Sequence, residues 1–198
     1  MKRYLLAVIL GGLVFFIWGA LAHEVLPLGE LGVRALDNDQ VGSAIKAAVN
    51  QPGFYIFPLP DLKSMDGTQR QQAMQQMTEK MKAGPTGIMV VYPQGREFVI
   101  PAHLAVQALC DFLTIALAAG LFARTNIQDY RSRITFFVLL ALFPTLCVEV
   151  PQSNWYGFPA LYTTAQLAIH LLGFLFAGLV VVKIMQPRLV PTPEGALP

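Results

Sequence analysis

The side chains best placed to do chemistry are polar residues set in apolar runs. His103, Gln107, Asp111 and Thr114 follow one another at intervals of four, four and three, which puts them on one face of an α-helix. Thr163, Gln166 and His170 form a second such stripe, continued by Gly173 and Ala177. A carboxyl and an imidazole on facing helices can tether the helices, relay a proton or hold a polar ligand. An ionisable group near the centre of a bilayer costs at least about 2.5 kcal/mol, so Asp111 needs a partner, a proton or water. Asp111 and His170 each fall near the middle of an apolar run, and a contact between them is expected.

A second group gathers at what would be one membrane face: His23, Glu24, His103 and Glu149. Two imidazoles at equal depth, His23 and His103, are the arrangement that ligates a b-type haem, and two imidazoles with a carboxylate can hold a transition metal. No H-x-x-E-H or Glu-x-x-His spacing accompanies them. The expectation is therefore interfacial hydrogen bonding, with no cofactor and the metal question left open. Met74, Met77 and Met81 recur at helical spacing, with Met65 and Met89 nearby. Thioethers bind Cu(I), but the same spacing serves an apolar helix face packed into a core, which is the reading preferred. Gly-rich phosphate loops, a G-x-S-x-G elbow and acidic metal boxes are absent from the sequence.

These residues need a scaffold, and the composition says which kind. The chain has 198 residues, of which 55% are hydrophobic and 13% charged, about half the charged fraction of soluble domains. A water-soluble enzyme is excluded. The net charge of +2 is too small for a nucleic-acid surface. Cys110 and Cys147 lie inside apolar runs and form no disulfide or zinc framework.

Four stretches can cross a hydrocarbon core about 30 Å thick, which takes about 20 helical residues. They lie within 1–22 and at about 101–123, 134–150 and 158–182, with Asp111 and Glu149 their only formally charged residues beyond Lys2 and Arg3. The first, with its Lys2-Arg3 start and Ala20-Leu21-Ala22 end, also fits a signal peptide; an uncleaved anchor is expected. The expected fold is an all-α transmembrane bundle of four helices with a small external α+β insertion between the first two. Residues 23–100 form that insertion, and 101–198 hold three further helices and a cytoplasmic tail.

Orientation follows from the short loops. Arg124, Arg131 and Arg133 mark one connection as cytoplasmic, while residues 151–157 hold no Lys or Arg. Both termini are then cytoplasmic and the insertion external. Trp18, Trp155, Tyr156 and Tyr162 are expected at the outer interface, Tyr4 and Tyr130 at the inner one. Within the insertion, helices over 41–49 and 66–82 alternate with strands over 54–57 and 88–92, and 96–100 is a further strand candidate. Gly11, Gly12, Gly19 and Ala20 offer a smooth surface for close helix packing, and Pro144 should kink or break the third helix.

The segments Gly11-Gly12-Leu13-Val14-Phe15-Phe16-Ile17-Trp18-Gly19, Leu26-Pro27 and Asn154-Trp155-Tyr156-Gly157-Phe158 resemble those of a group of small bacterial four-helix inner-membrane proteins with no assigned activity. The resemblance covers the two ends of the chain and implies topology alone. The expected function is a non-enzymatic accessory or assembly subunit of a larger membrane complex. Its partners would be the lipid bilayer and other membrane proteins, with no nucleic acid. The alternative is a redox or proton-transfer module binding haem or quinone, using His23 with His103 or Asp111 with His170. A membrane enzyme has the least support.

Overall fold

A computed structural model describes residues 1–186; most of the expected cytoplasmic tail lies outside the described residues. The chain divides into a helical unit, which includes residues 1–33, 99–153 and 158–186, and an α/β unit of residues 34–98 with 154–157. Four helices are long and apolar enough to cross a membrane: Lys2–Val25, Ile100–Phe122, Tyr130–Tyr156 and Ala160–Ile184, with mean hydropathies of 2.5, 1.9, 2.0 and 2.3.

The first helix, α1 (Lys2–Ala20), continues as a π turn through Leu21–Val25, three residues past the expected end of the span. Residues 26–33 then fold back, with the Leu28 and Gly29 N–H groups donating to the Ala22 carbonyl. They belong to the helical unit, so the α/β unit starts at residue 34 and not at 23.

In the helical unit, α4 (Ile100–Phe122) packs on α1, α1 on α8 (Ala160–Ile184), and α8 on α5 (Tyr130–Leu140). Asp129 caps α5, accepting from the Ser132 N–H at 2.8 Å and its hydroxyl at 2.9 Å. Arg131 and Arg133 are consequently helical rather than part of a loop. Arg133 is buried; its guanidinium donates to the Met185 carbonyl at the end of α8 and lies 5.1 Å from the centre of the Phe122 ring.

After α5 the third span stays right-handed helical, but its hydrogen-bond ladder is disrupted around Pro144, which has no N–H. A short turn, α6 (Leu142–Pro144), leads into a second π turn over Thr145–Glu149 and then α7 (Val150–Tyr156). The Thr145 hydroxyl donates to the Ala141 carbonyl at 3.5 Å, an acceptor next to the disruption. The span therefore ends at Tyr156 rather than 150, and most of the expected outer loop is helix.

The core occupies the half of the bundle that holds the start of α1 and the end of α8. Ala7, Ile115, Ala119, Phe137, Ala141, Ala177 and Val181 are fully enclosed there. Backbones come close because small residues face large ones. A Cβ at Gly178 would lie 2.6 Å from Phe137 Cβ, and one at Gly12 2.7 Å from the Phe112 ring. Gly19, expected to share this role, has open space around it.

The α/β unit is made of α2 (Asp39–Ala48), β1 (Gly53–Phe57), α3 (Gly67–Ala83) and β2 (Gly87–Val91). The strands pair antiparallel, with Phe54 opposite Val90 and Ile56 opposite Ile88. Residues 96–99 form no strand, and 100 opens α4. Asn38 caps α2, and a capping box between Asp66 and Gln69 starts α3. Val49 is the one buried hydrophobic side chain among this unit's described residues.

Candidate functional site

In the other half of the helical unit the helices separate. On the core side, Phe122 of α4 packs against Phe136 and Phe137 of α5, at ring separations of 5.4 and 5.3 Å. Beyond that contact a cavity of about 870 Å³ lies between α1, α4, α8 and the distorted third span. Leu104 and Leu117 from α4 and Phe143 from α6 line it while being more than half exposed, at 51%, 71% and 64%. The cavity is thus open on its side, between α4 and the third span.

The wall residues are apolar or aromatic. Phe15 meets Phe174 edge-on with ring centres 5.2 Å apart. The Trp18 indole N–H donates to the Ile169 carbonyl at 2.8 Å, so this side chain binds across to α8.

The polar residues are those singled out by spacing. Gln107, Asp111 and Thr114 of α4 and Gln166 and His170 of α8 all line the cavity. Asp111 is buried and accepts a hydrogen bond of 2.8 Å from the Gln107 carboxamide, one turn earlier on its own helix. His170 is half-buried, and its buried Nδ1 has no hydrogen-bond partner. Asp111 and His170, expected in contact, share the chamber without a hydrogen bond between them, and the i, i+4 geometry gives Asp111 the Gln107 carboxamide as its partner. Thr163, which completes the α8 stripe in sequence, does not line the cavity; its buried hydroxyl is without a hydrogen-bond partner.

His23, Glu24 and His103 line the same chamber. The two groups, which share His103 in sequence, thus meet in one site that leaves out Glu149 and Thr163. His23 Nδ1 donates to the Gly19 carbonyl at 2.9 Å and His103 Nδ1 to the Val99 carbonyl at 2.8 Å. Each bond fixes a ring orientation by way of the preceding turn. Glu149 is buried in the second π turn, away from the cavity lining. Among the described residues no three His, Cys, Asp or Glu side chains form a group that could hold a metal ion.

Several lining residues escaped the polar-stripe reading: Phe15, Phe16, Cys110, Leu140, Phe143 and Pro144. Pro144 was the one available signal, since it marks where the third span is distorted beside the cavity.

The α/β unit offers a different kind of surface. Phe54, Ile56 and Val90 are 53%, 38% and 65% exposed, and pairing places all three on one face of the sheet. Tyr156 touches this face, edge-on to Phe54 with ring centres 5.9 Å apart. Met74 and Met81 are also exposed, against the expectation that they fill a core; only Met77 of that stripe is half-buried. Compared with protein-family models, curated proteins and solved structures, the chain matches none.

Proposed function

We propose that this chain is a non-enzymatic multi-pass protein of a bacterial inner membrane, serving as an accessory or assembly subunit of a larger membrane complex. Both termini are cytoplasmic and the α/β unit is external, on the strength of Arg124 and Arg131 against the absence of Lys and Arg from residues 151–157. The observation that carries the subunit reading is the α/β unit itself. A two-stranded sheet is marginal alone in water, and this one has apolar side chains on an exposed face while its unit buries only Val49 among the described residues. A partner covering Phe54, Ile56 and Val90 would supply the missing core.

Affinity purification in mild detergent tests this. A second multi-pass protein should co-purify, and its recovery should fall in Phe54→Ser/Val90→Ser protein that is still inserted. Equal recovery with both changes would remove the sheet face from the proposal. Reporter fusions at Pro60 and Trp155 should read as external and one at Gln128 as internal; the reverse pattern would overturn the orientation.

The cavity favours a second reading, in which the bundle binds an amphipathic molecule from the bilayer. Its side opening suits entry from lipid, and its apolar walls with few convergent polar groups are those of a ligand pocket.

A further inference from the structure

We propose that the cavity in the helical unit binds a prenylated quinone, taking it from the bilayer through the opening between α4 and the third span. The proposal rests on the second reading above and adds the ligand class to it.

Volume and entry come first. About 870 Å³ falls in the range of pockets for ring-sized ligands with part of a chain. Leu104, Leu117 and Phe143 put exposed apolar side chains at the mouth, which suits an isoprenoid tail trailing into lipid.

Charge narrows the headgroup. No Lys or Arg lines the cavity, and its formally charged residues are Glu24 and Asp111. A phosphate headgroup would therefore enter beside two carboxyl groups with no Lys or Arg to meet it, at a large desolvation cost. A neutral head that accepts hydrogen bonds fits this lining better.

Hydrogen bonding narrows it further. Gln107 spends one N–H on Asp111 and keeps a second. His170 Nδ1 is buried with nothing bonded to it, and buried polar atoms are rarely left so. These donors come from α4 and α8, on separate walls of one chamber. A quinone ring carries two carbonyl acceptors on opposite edges, and its flat faces suit the aromatic walls formed by Phe15, Phe174 and Trp18. In this arrangement the Gln107 carboxamide and the His170 imidazole each donate to one carbonyl, and Asp111 holds the carboxamide in place.

Trp18 lines the cavity, and the chain's other tryptophan, Trp155, does not. Full-length Trp155→Phe protein in mild detergent is titrated with a short-chain prenylated benzoquinone while Trp18 fluorescence is read. Quenching should saturate, and in Gln107→Leu or His170→Phe protein the midpoint should rise at least about tenfold, the effect of losing one buried hydrogen bond. The Trp18→Phe protein, reporting from Trp155, should show only the linear quenching of a dye dissolved in the micelle.

Because a buried polar change can disturb folding, a second measurement leaves those residues alone. Cys110 lines the cavity and is exposed, whereas Cys147 is exposed and outside it. In Cys147→Ser protein, alkylating Cys110 with a bulky apolar maleimide should abolish the saturable quenching, and the quinone should slow the alkylation. Linear quenching alike from Trp18 and Trp155, or alkylation indifferent to the quinone, would overturn the proposal. Protection by an alkyl trimethylammonium and not by the quinone would also overturn it, while leaving the amphipathic-ligand reading standing.

Discussion

In the helical unit, Gly12 and Gly178 let backbones approach until a single added carbon would collide with Phe112 or Phe137. In the α/β unit, α2 and α3 begin on side-chain caps, and Val49 alone is buried among its hydrophobic residues. The helical unit is specified by contacts between elements and the α/β unit largely by contacts within them. Apolar solvent explains part of this contrast: lipid gives helices no hydrophobic reason to associate, so close packing must hold them. A unit in water has that driving force available but needs enough apolar surface on its inner side to use it. Here much of the apolar surface of the sheet faces outward.

The largest effect expected from this contrast is at Phe137, which is fully enclosed between Phe122, Phe136 and Gly178. Phe137→Ala should cost about 3–5 kcal/mol, because the surrounding packed side chains cannot close the gap left by the ring. Reversible unfolding of the full-length protein in detergent measures it. A loss near zero would mean that the aromatic cluster is not what fastens the core half of the bundle.

A smaller effect is expected at Asp66. It accepts from the Gln69 N–H at 2.9 Å while the Gln69 carboxamide oxygen accepts from the Asp66 N–H at 3.0 Å. Asp66→Ala should cost about 1 kcal/mol. Hydrogen exchange should show the loss in amides of α3 and leave those of α4 and α8 unchanged. If exchange rises throughout the chain, the two units are coupled more tightly than their internal contacts suggest.

How much of this was legible in the sequence depends on which interaction carried the signal. The polar stripes of α4 and α8 were readable because 3.6-residue periodicity stands out against an apolar background. Their merger with His23 and Glu24 of the first span was not, because it depends on where four helices part. Arg133 looked like a loop charge; Asp129 and Ser132, three apart, held the information that helix begins there, and the burial of Arg133 needed Phe122 and Met185 from elsewhere. The methionine stripe misled for a simple reason. Periodicity identifies a face, and it does not say that anything lies against that face.

The smallest effect expected concerns pH, and it tests whether a cap matters in the unit governed by packing. Asp129 is fully exposed, and the Ser132 backbone N–H, followed by the Ser132 hydroxyl, favours its charged form and lowers its pKa below the usual aspartate value. A group whose folded pKa is depressed stabilises the fold above its unfolded pKa, about 3.9, and that contribution is lost as pH falls through the folded value. Unfolding in detergent should therefore become slightly easier between pH 5 and the acid limit of the native state, by an amount that Asp129→Asn reduces. The amide keeps an oxygen to accept from Ser132 but carries no charge to titrate. Asp129→Ala should remove both the cap and the pH term, leaving a protein less stable at neutral pH with a flatter acid profile. If wild type and Asp129→Asn lose stability in parallel on acidification, other carboxylates govern that range. The cap of α5 would then matter for where the helix starts, placing Arg133 against Met185, more than for how its stability follows pH.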